Sequence, residues 1–275
     1  MKDLHGKVAV ITGAASGFGR ELAILCAAEG MKLALTDVDM AGLEGTQALL
    51  GGAEALLLRC DVRKPEQVEA VAQQTWERFG AAHLLFNNAG VAVAGPIWKS
   101  TPQDWEWTLG VNLMGVVHGI RSFVPRMLEQ GGEAHIVNTA SVAGLLAVPA
   151  SSAYCVSKHG VVVLSECLHH ELQQVKAGIG VSVLCPAYVN TGIADAARHR
   201  PPELAESNPE AAAYEERVRA AVRKGKLSAT DVARITLDGV KAGRFYILTH
   251  PNIRPAVEMR LRDIIEDRLP TNPMP

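Results

Sequence analysis

The sequence predicts one α/β domain built on a parallel sheet with helices packed against both faces. Three observations predict it. Short apolar runs of strand length alternate with stretches of helical period along nearly the whole chain, the signature of repeated βαβ units. Some of those runs are apolar throughout, as strands covered on both faces are. No internal repeat and no linker-like stretch divides the 275 residues, so a single domain over 1–275 is expected.

Each element has its own signal. Residues 7–12 are a near-continuous apolar run, the first strand, and 18–29 read as the helix that follows a glycine-rich turn. A second strand is expected at 32–36, a helix at 41–50 capped by Asp39, and a third strand at 55–60. Pro65 opens a helix over 65–79, where Val68, Val71 and Ala72 recur at helical spacing. The fourth strand, 83–86, ends in Asn87-Asn88-Ala89-Gly90. A long helix spans 103–129, and Pro125 should bend or shorten it. Then come a fifth strand at 135–139, a long helix at 152–175 and a sixth strand at 181–184.

From 188 to 213 Pro and Ala become frequent and no strand pattern survives, which predicts a mobile segment with short helices. With its continuation to about 224 it is the expected substrate-binding stretch. A helix at 231–241 and a seventh strand at 245–248 follow. In the tail, 253–269, Ile253, Val257, Leu261, Ile264 and Ile265 fall at helical spacing, an amphipathic helix for its own domain or a neighbouring subunit. Right-handed crossovers then give strand order 3-2-1-4-5-6-7, a Rossmann-type doubly wound sheet.

Composition narrows the function classes. Apolar residues make up 48% and charged ones 20%, enough to bury a large core. A net charge of −2 without a Lys/Arg block argues against nucleic acid as partner. Arg198, His199 and Arg200, next to prolines, read as a solvated loop rather than an anion site. No apolar run reaches membrane-spanning length, and residues 1–7 lead straight into a strand without a signal peptide. Cys26, Cys60, Cys155, Cys167 and Cys185 are odd in number and scattered, fitting core fillers in a reducing cytoplasm. Cys155, beside Tyr154, is read as pointing to another helix face rather than as a redox switch. His118, His169 and His170 lack metal-ligand spacing, so no metal is expected.

Chemistry concentrates in two places. Tyr154 and Lys158 are four apart on a predicted helix and so share one face, with Ser141 thirteen residues upstream. An ammonium near a phenol favours the phenolate, which can take a proton from an alcohol. Near the start, Gly13, Ser16, Gly17, Phe18 and Gly19 lie between a strand and a helix, where exposed N–H groups can hold a pyrophosphate. Asp37 ends the second strand, placed to accept from both ribose hydroxyls of NAD and to repel the 2′-phosphate of NADP. Asp61 closes the third strand, and either reaches an adenine amino group or caps the helix that Pro65 opens.

In this order the motifs resemble the short-chain dehydrogenase/reductase family over essentially 7–248: TGxxxGxG at 12–19, the acids Asp37 and Asp61, NNAG at 87–90, Asn112, Ser141, Tyr-x-x-x-Lys at 154–158, and a Pro-x-x-Val-x-Thr segment at 186–191. Phe18 stands where Ile is usual, Ala187 where Gly follows the proline, and the tail is longer than in minimal members. The resemblance implies that Asn88 and Gly90 contact the adenosine side, that Val189 and Thr191 hold the nicotinamide amide, and that Lys158 also binds the nicotinamide ribose. Val62, Ala89, Pro186 and Tyr154 belong to the same expected coenzyme shell. It further implies Tyr154 as general acid/base, Ser141 on the substrate oxygen, and Asn112 holding a water that links Lys158 to solvent. Dimers or tetramers through the long helices, about 103–129 and 152–175, are the implied assembly, a homotetramer foremost.

The expected substrate is a small molecule, a neutral and hydrophobic secondary alcohol or ketone. It would be bordered by Val142, Leu145, Leu146, Val148, Tyr188, the 190–213 segment and nearby 91–97, with no cation aimed at it. Trp98, Trp105 and Trp107 line its rim or pack under the long helix. A β-ketoacyl-carrier reductase and a non-enzymatic NAD sensor on the same fold remain the alternatives. A halohydrin-dehalogenase-like chain is excluded by the intact glycine loop and Lys158.

Overall fold

The computed structural model describes residues 1–205 and 208–273, and Glu206 and Ser207, within the expected mobile segment, lie outside them with the last two residues. Seven parallel strands, β1 (Val8–Thr12), β2 (Lys32–Asp37), β3 (Ala55–Arg59), β4 (Leu84–Asn87), β5 (Ala134–Thr139), β6 (Ile179–Cys185) and β7 (Tyr246–Leu248), form one sheet in the order 3-2-1-4-5-6-7. The expected order is the observed one.

Alternation along the strands sends side chains to two different cores. Ala9, Ile11, Leu33, Leu35, Leu84 and Phe86 pack with Leu22 and Cys26 of α1 (Gly17–Ala28) and with Val232, Leu237 and Val240 of α8 (Ala229–Lys241). Their neighbours Val10, Ala34, Leu85, Ile136 and Val181 face the opposite way. There they meet Val68 and Val71 of α3 (Pro65–Phe79), Phe123 and Met127 of α5 (Gly115–Gln130), and Leu168 and Leu172 of α6 (Ser152–Gln174). Two apolar faces explain why these strands read as continuous apolar runs. α2 (Met40–Gln47) is the remaining short crossover helix before β3.

Two expectations change. The long helix is α4 (Pro102–Leu109) and α5 joined by a π-helical turn, Gly110–Met114. Pro125 sits inside α5, which still runs to Gln130; the Arg126 guanidinium donates to the Ser122 carbonyl in that turn, at 2.8 Å. Between β6 and α8, the short helices expected there are 3₁₀ turns at Gly192–His199 and Pro202–Leu204, and a regular three-turn helix, α7 (Ala212–Arg223), follows them. Only Val222 of α7 is buried, so its apolar face was too thin to register as helical. In the tail, the expected helix is α9 (Arg254–Ile265), and Leu261, Ile264 and Ile265 are exposed on it. Among the described residues, no helix is long and apolar enough to cross a membrane.

Candidate active site

The site opens at the carboxyl edge of the sheet, where the strand order reverses between β1 and β4. Gly13 adopts φ +69°, and a side chain there would place its Cβ 2.9 Å from the Ala89 Cα. At Gly19 a Cβ would lie 2.1 Å from the Gly13 carbonyl oxygen. The loop is therefore packed backbone against backbone. Ser16, the N-cap residue of α1, is extended and its hydroxyl caps no N–H, which leaves the first turn of α1 for a ligand oxygen. Thr12 stitches the two strand ends together. Its hydroxyl accepts from the N–H groups of Asn88 (2.9 Å) and Ala89 (3.0 Å), while the Asn88 amide donates to the Thr12 carbonyl at 3.0 Å.

Asp37 is anchored by backbone, its carboxylate accepting from the Ala15 and Asp39 N–H groups at 3.0 and 3.1 Å. Asp39 caps α2, as expected, through the Gly42 N–H at 3.0 Å. The Asp61 carboxylate is gripped by the Arg63 guanidinium, 2.6 Å at the closest pair, and the cap position of α3 belongs to Lys64. The capping alternative for Asp61 therefore fails: Arg63, two residues on, claims both carboxylate oxygens.

On the other side, β5 ends at Thr139 and the chain turns at Ser141. The Ser141 hydroxyl accepts from the Ala143 N–H and donates to the Pro186 carbonyl, both at 3.2 Å. One turn apart on α6, Tyr154 and Lys158 meet: the Lys158 Nζ lies 5.7 Å from the centre of the Tyr154 ring and donates to the Thr139 carbonyl at 2.8 Å. Burial pushes the Tyr154 phenol up to about 12, opposed by a hydrogen bond from Ser141, and pushes the Lys158 ammonium down to about 8. Burial disfavours the charged form of both groups.

Asn112 sits in the π turn. Its Oδ1 accepts from the Val91 N–H at 2.8 Å, and its Nδ2 donates to the Val91 carbonyl at 2.9 Å and the Ser157 hydroxyl at 3.1 Å. Its amide clamps the segment that follows Gly90. The extra residue of a π turn is what swings such a side chain inward.

One cavity of about 1260 Å³ joins these parts. Gly13, Ser16, Gly17, Phe18, Asp37, Asp61, Val62, Asn88, Ala89, Gly90, Ser141, Tyr154, Lys158, Pro186, Val189 and Thr191 all line it. Gly19 and Asn112 stand behind its wall. The donor set fits a dinucleotide: a backbone cradle at an uncapped helix start, an acid at the end of β2, and a phenol–ammonium pair at the far end.

Residues 7–202 match the family model described as short chain dehydrogenase. The chain belongs to that family. A solved short-chain dehydrogenase/reductase from Burkholderia phymatum, in complex with NAD, is 51% identical, each chain fully covered, with a TM-score of 0.97. A CLA biosynthesis dehydrogenase/reductase of Lactiplantibacillus plantarum is 37% identical over 98% of this chain and 97% of its own. A C alpha-dehydrogenase of Sphingobium sp. is 34% identical over 98% and 89%.

Several residues of this short-chain dehydrogenase escaped sequence reasoning. The β2–β3 register places Arg59 beside Asp37, and both line the cavity. Arg63 reaches across to Glu203 of the roof at 3.3 Å. Arg200 is not in a solvated loop: its guanidinium pairs with Asp104 at 2.7 Å and lies 5.2 Å over the Trp107 ring. Cationic Arg198 and Arg200 thus border the cavity, contrary to expectation. Val142, Leu146, Val148 and Tyr188 line it as expected, Leu145 and Ile97 do not, and of the three tryptophans only Trp107 does. Cys155 is turned away, its thiol against the backbone of Val148. Among the described residues, no three His, Cys, Asp or Glu side chains gather as a metal would require.

Proposed function

We propose that this short-chain dehydrogenase moves a hydride between NAD and a neutral, hydrophobic secondary alcohol or its ketone, with Tyr154 as the acid/base. That the chain is an NAD-dependent oxidoreductase acting on CH–OH groups follows from its family and its relatives. One observation carries the finer reading: Tyr154, Lys158 and Ser141 share a cavity with the glycine loop and Asp37, and its remaining wall is largely apolar, with Val91, Val142, Leu146 and Val148.

When bound, NAD⁺ supplies the hydride-accepting carbon and a positive charge that favours the phenolate. The protein does the rest. Ser141 donates to the substrate oxygen and sets its distance from the phenol. Tyr154 takes the alcohol proton in oxidation and returns it in reduction, and Lys158 stabilises the phenolate between these events. Asn112 keeps the segment after Gly90 in place through Val91. Asp37 offers a carboxylate to ribose hydroxyls, and its charge opposes a 2′-phosphate.

The upward push on Tyr154 has a pH consequence. Its acid form dominates across the neutral range, so ketone reduction should be flat there and fall only at high pH. The base form grows about tenfold per pH unit, so kcat/KM for alcohol oxidation should climb with pH until the apparent pKa of the ternary complex is passed. A profile in which oxidation declines from pH 6 to 9 would remove Tyr154 from the role.

The direct test is NADH absorbance across a panel of secondary alcohols, repeated with NADP. NADH from bulky apolar alcohols and little turnover with NADP is expected. No turnover from any alcohol, or preference for NADP, would overturn the reading. A cytoplasmic homotetramer or dimer belongs to the same proposal, supported by Met114, Val156 and Val163, apolar and exposed on α5's entry turn and α6.

A further inference from the structure

The cavity has a further wall, made by the tail beyond β7. Asn252, Ile253 and Ala256, around the start of α9, line it, and so does Pro273, eight residues past the helix end. To reach the same cavity the chain must double back along α9. Asp267 adopts φ +51°, and the next N–H, that of Arg268, donates to the Asp263 carbonyl at 2.8 Å. This left-handed turn closes the last turn of the helix and reverses the chain.

Asp263 then pins the returning segment. Its carboxylate accepts from the Thr271 N–H at 2.9 Å and from the Thr271 hydroxyl, which together hold it below the usual carboxylate range. Among the described residues, Asp263 is the one buried residue of α9, at 6% exposure. Burying a carboxylate is costly unless hydrogen bonds offset it, and Thr271 supplies them. Ala256 lies two turns before Asp263 on the same helix face, about 10 Å away. From Thr271 to Pro273 the chain covers about 7 Å of that distance, stiffened by Pro270 and Pro273.

Strand order decides which end of the cavity this wall serves. β7 lies five strands from β2, about 24 Å at ordinary strand spacing, so the wall is remote from Asp37. It adjoins the segment after β6 instead. There the Ala187 N–H donates to the His250 Nδ1 at 3.4 Å, and Tyr188 lines the cavity.

We propose that residues 268–273, pinned by Asp263, close the substrate end of the cavity and set the largest alcohol that it accepts. Pro273 and Ile253 meet the substrate, and Asp263 is a positioning residue that acts through Thr271. The inference rests on the cavity being the coenzyme site and the site of a neutral, apolar substrate.

The test compares the full chain with Asp263→Ala, which cuts the pin, and with Pro273→Trp, which thickens the wall. Thr271→Val, which weakens the same pin, replaces Asp263→Ala if NADH titration shows that variant to be unfolded. Two neutral series carry para-alkyl chains of increasing length. 1-Phenylethanols give kcat and KM, and benzamides, which cannot be oxidised, give affinity for the NADH complex by fluorescence quenching. In the parent, binding should improve with chain length and then worsen past a limiting length. Asp263→Ala should improve chains beyond that limit about tenfold, roughly what two more buried methylenes contribute, in KM rather than kcat. Pro273→Trp should move the limit to shorter chains, with NADH affinity kept. A limit that stays put in either variant, losses equal for short and long chains, or a parent without a limit in either series would overturn the proposal. If no alcohol turns over and the benzamide limit still moves with the tail, the function reading fails while the wall stands.

Discussion

The floor of the cavity, from Thr12 to Gly19 and on to Asn88 and Gly90, is held by backbone, whereas the roof, from Gly192 to Arg223, is held by charged side chains. In the floor a single added carbon at Gly19 meets a carbonyl oxygen at 2.1 Å. Arg200–Asp104, Arg63–Glu203 and Lys99–Glu210 tie the roof to the body of the fold, and Arg219–Asp195 ties α7 to the turn at Gly192–His199. Only a few apolar residues, Ala196 and Leu204 among them, support those ties. A backbone-packed floor admits one geometry and suits a ligand that never changes. A roof of ion pairs can be re-tied by a few substitutions, which suits the part that meets the substrate.

The largest expected effect lies where floor and roof meet. Tyr154→Phe should lower turnover about 10²- to 10⁴-fold while NADH still binds, because it removes proton transfer and leaves the cradle untouched. Turnover that survives would show that the cavity works without its phenol. Next is the floor itself: Gly19→Ala should destabilise the protein by about 3 kcal/mol and abolish NADH binding, read by chemical denaturation and fluorescence titration. A variant as stable as the parent would mean that the floor yields as easily as the roof.

The frame beneath both has its own acid limit. Ser182 donates to the Arg244 carbonyl and so accepts from the His135 Nε2–H, at 2.7 Å, which fixes a neutral imidazole in the core. Burial pushes His135 down to about 4. The unfolded chain binds that proton near pH 6.5, so between about 6.5 and 4 the unfolded state holds more protons. Stability is then complete above that window and falls with pH inside it, by about 2 kcal/mol at pH 5. Melting curves at pH 7 and 5, with His135→Gln as the control that flattens the difference, check this. The smallest effect belongs to the roof. Glu203→Gln should leave Tm unchanged and alter KM by no more than about twofold, since one exposed ion pair contributes little.

Much of this was legible in the chain. Strand order followed from βαβ alternation, and the floor was readable because a glycine cradle can be made from few residue types. The pairing of Tyr154 with Lys158 was readable because helical geometry fixes what lies one turn away. The roof was not. Arg200 and Asp104 are 96 positions apart, Arg63 and Glu203 140, and nothing local in either partner announces the other.

By itself the sequence determined the seven strands, the helices with a broad apolar face, the order in the sheet, and which short-range motifs face its carboxyl edge, because those depend on period and on neighbours a few residues away. Tertiary structure alone decided that Arg63 would take the Asp61 carboxylate, that Arg59 would stand beside Asp37, that the Asn112 amide would clamp Val91, and that burial would drive Tyr154 and Lys158 toward their neutral forms. Those outcomes depend on which distant groups share a volume and how much water is left there, and the packed chain sets both.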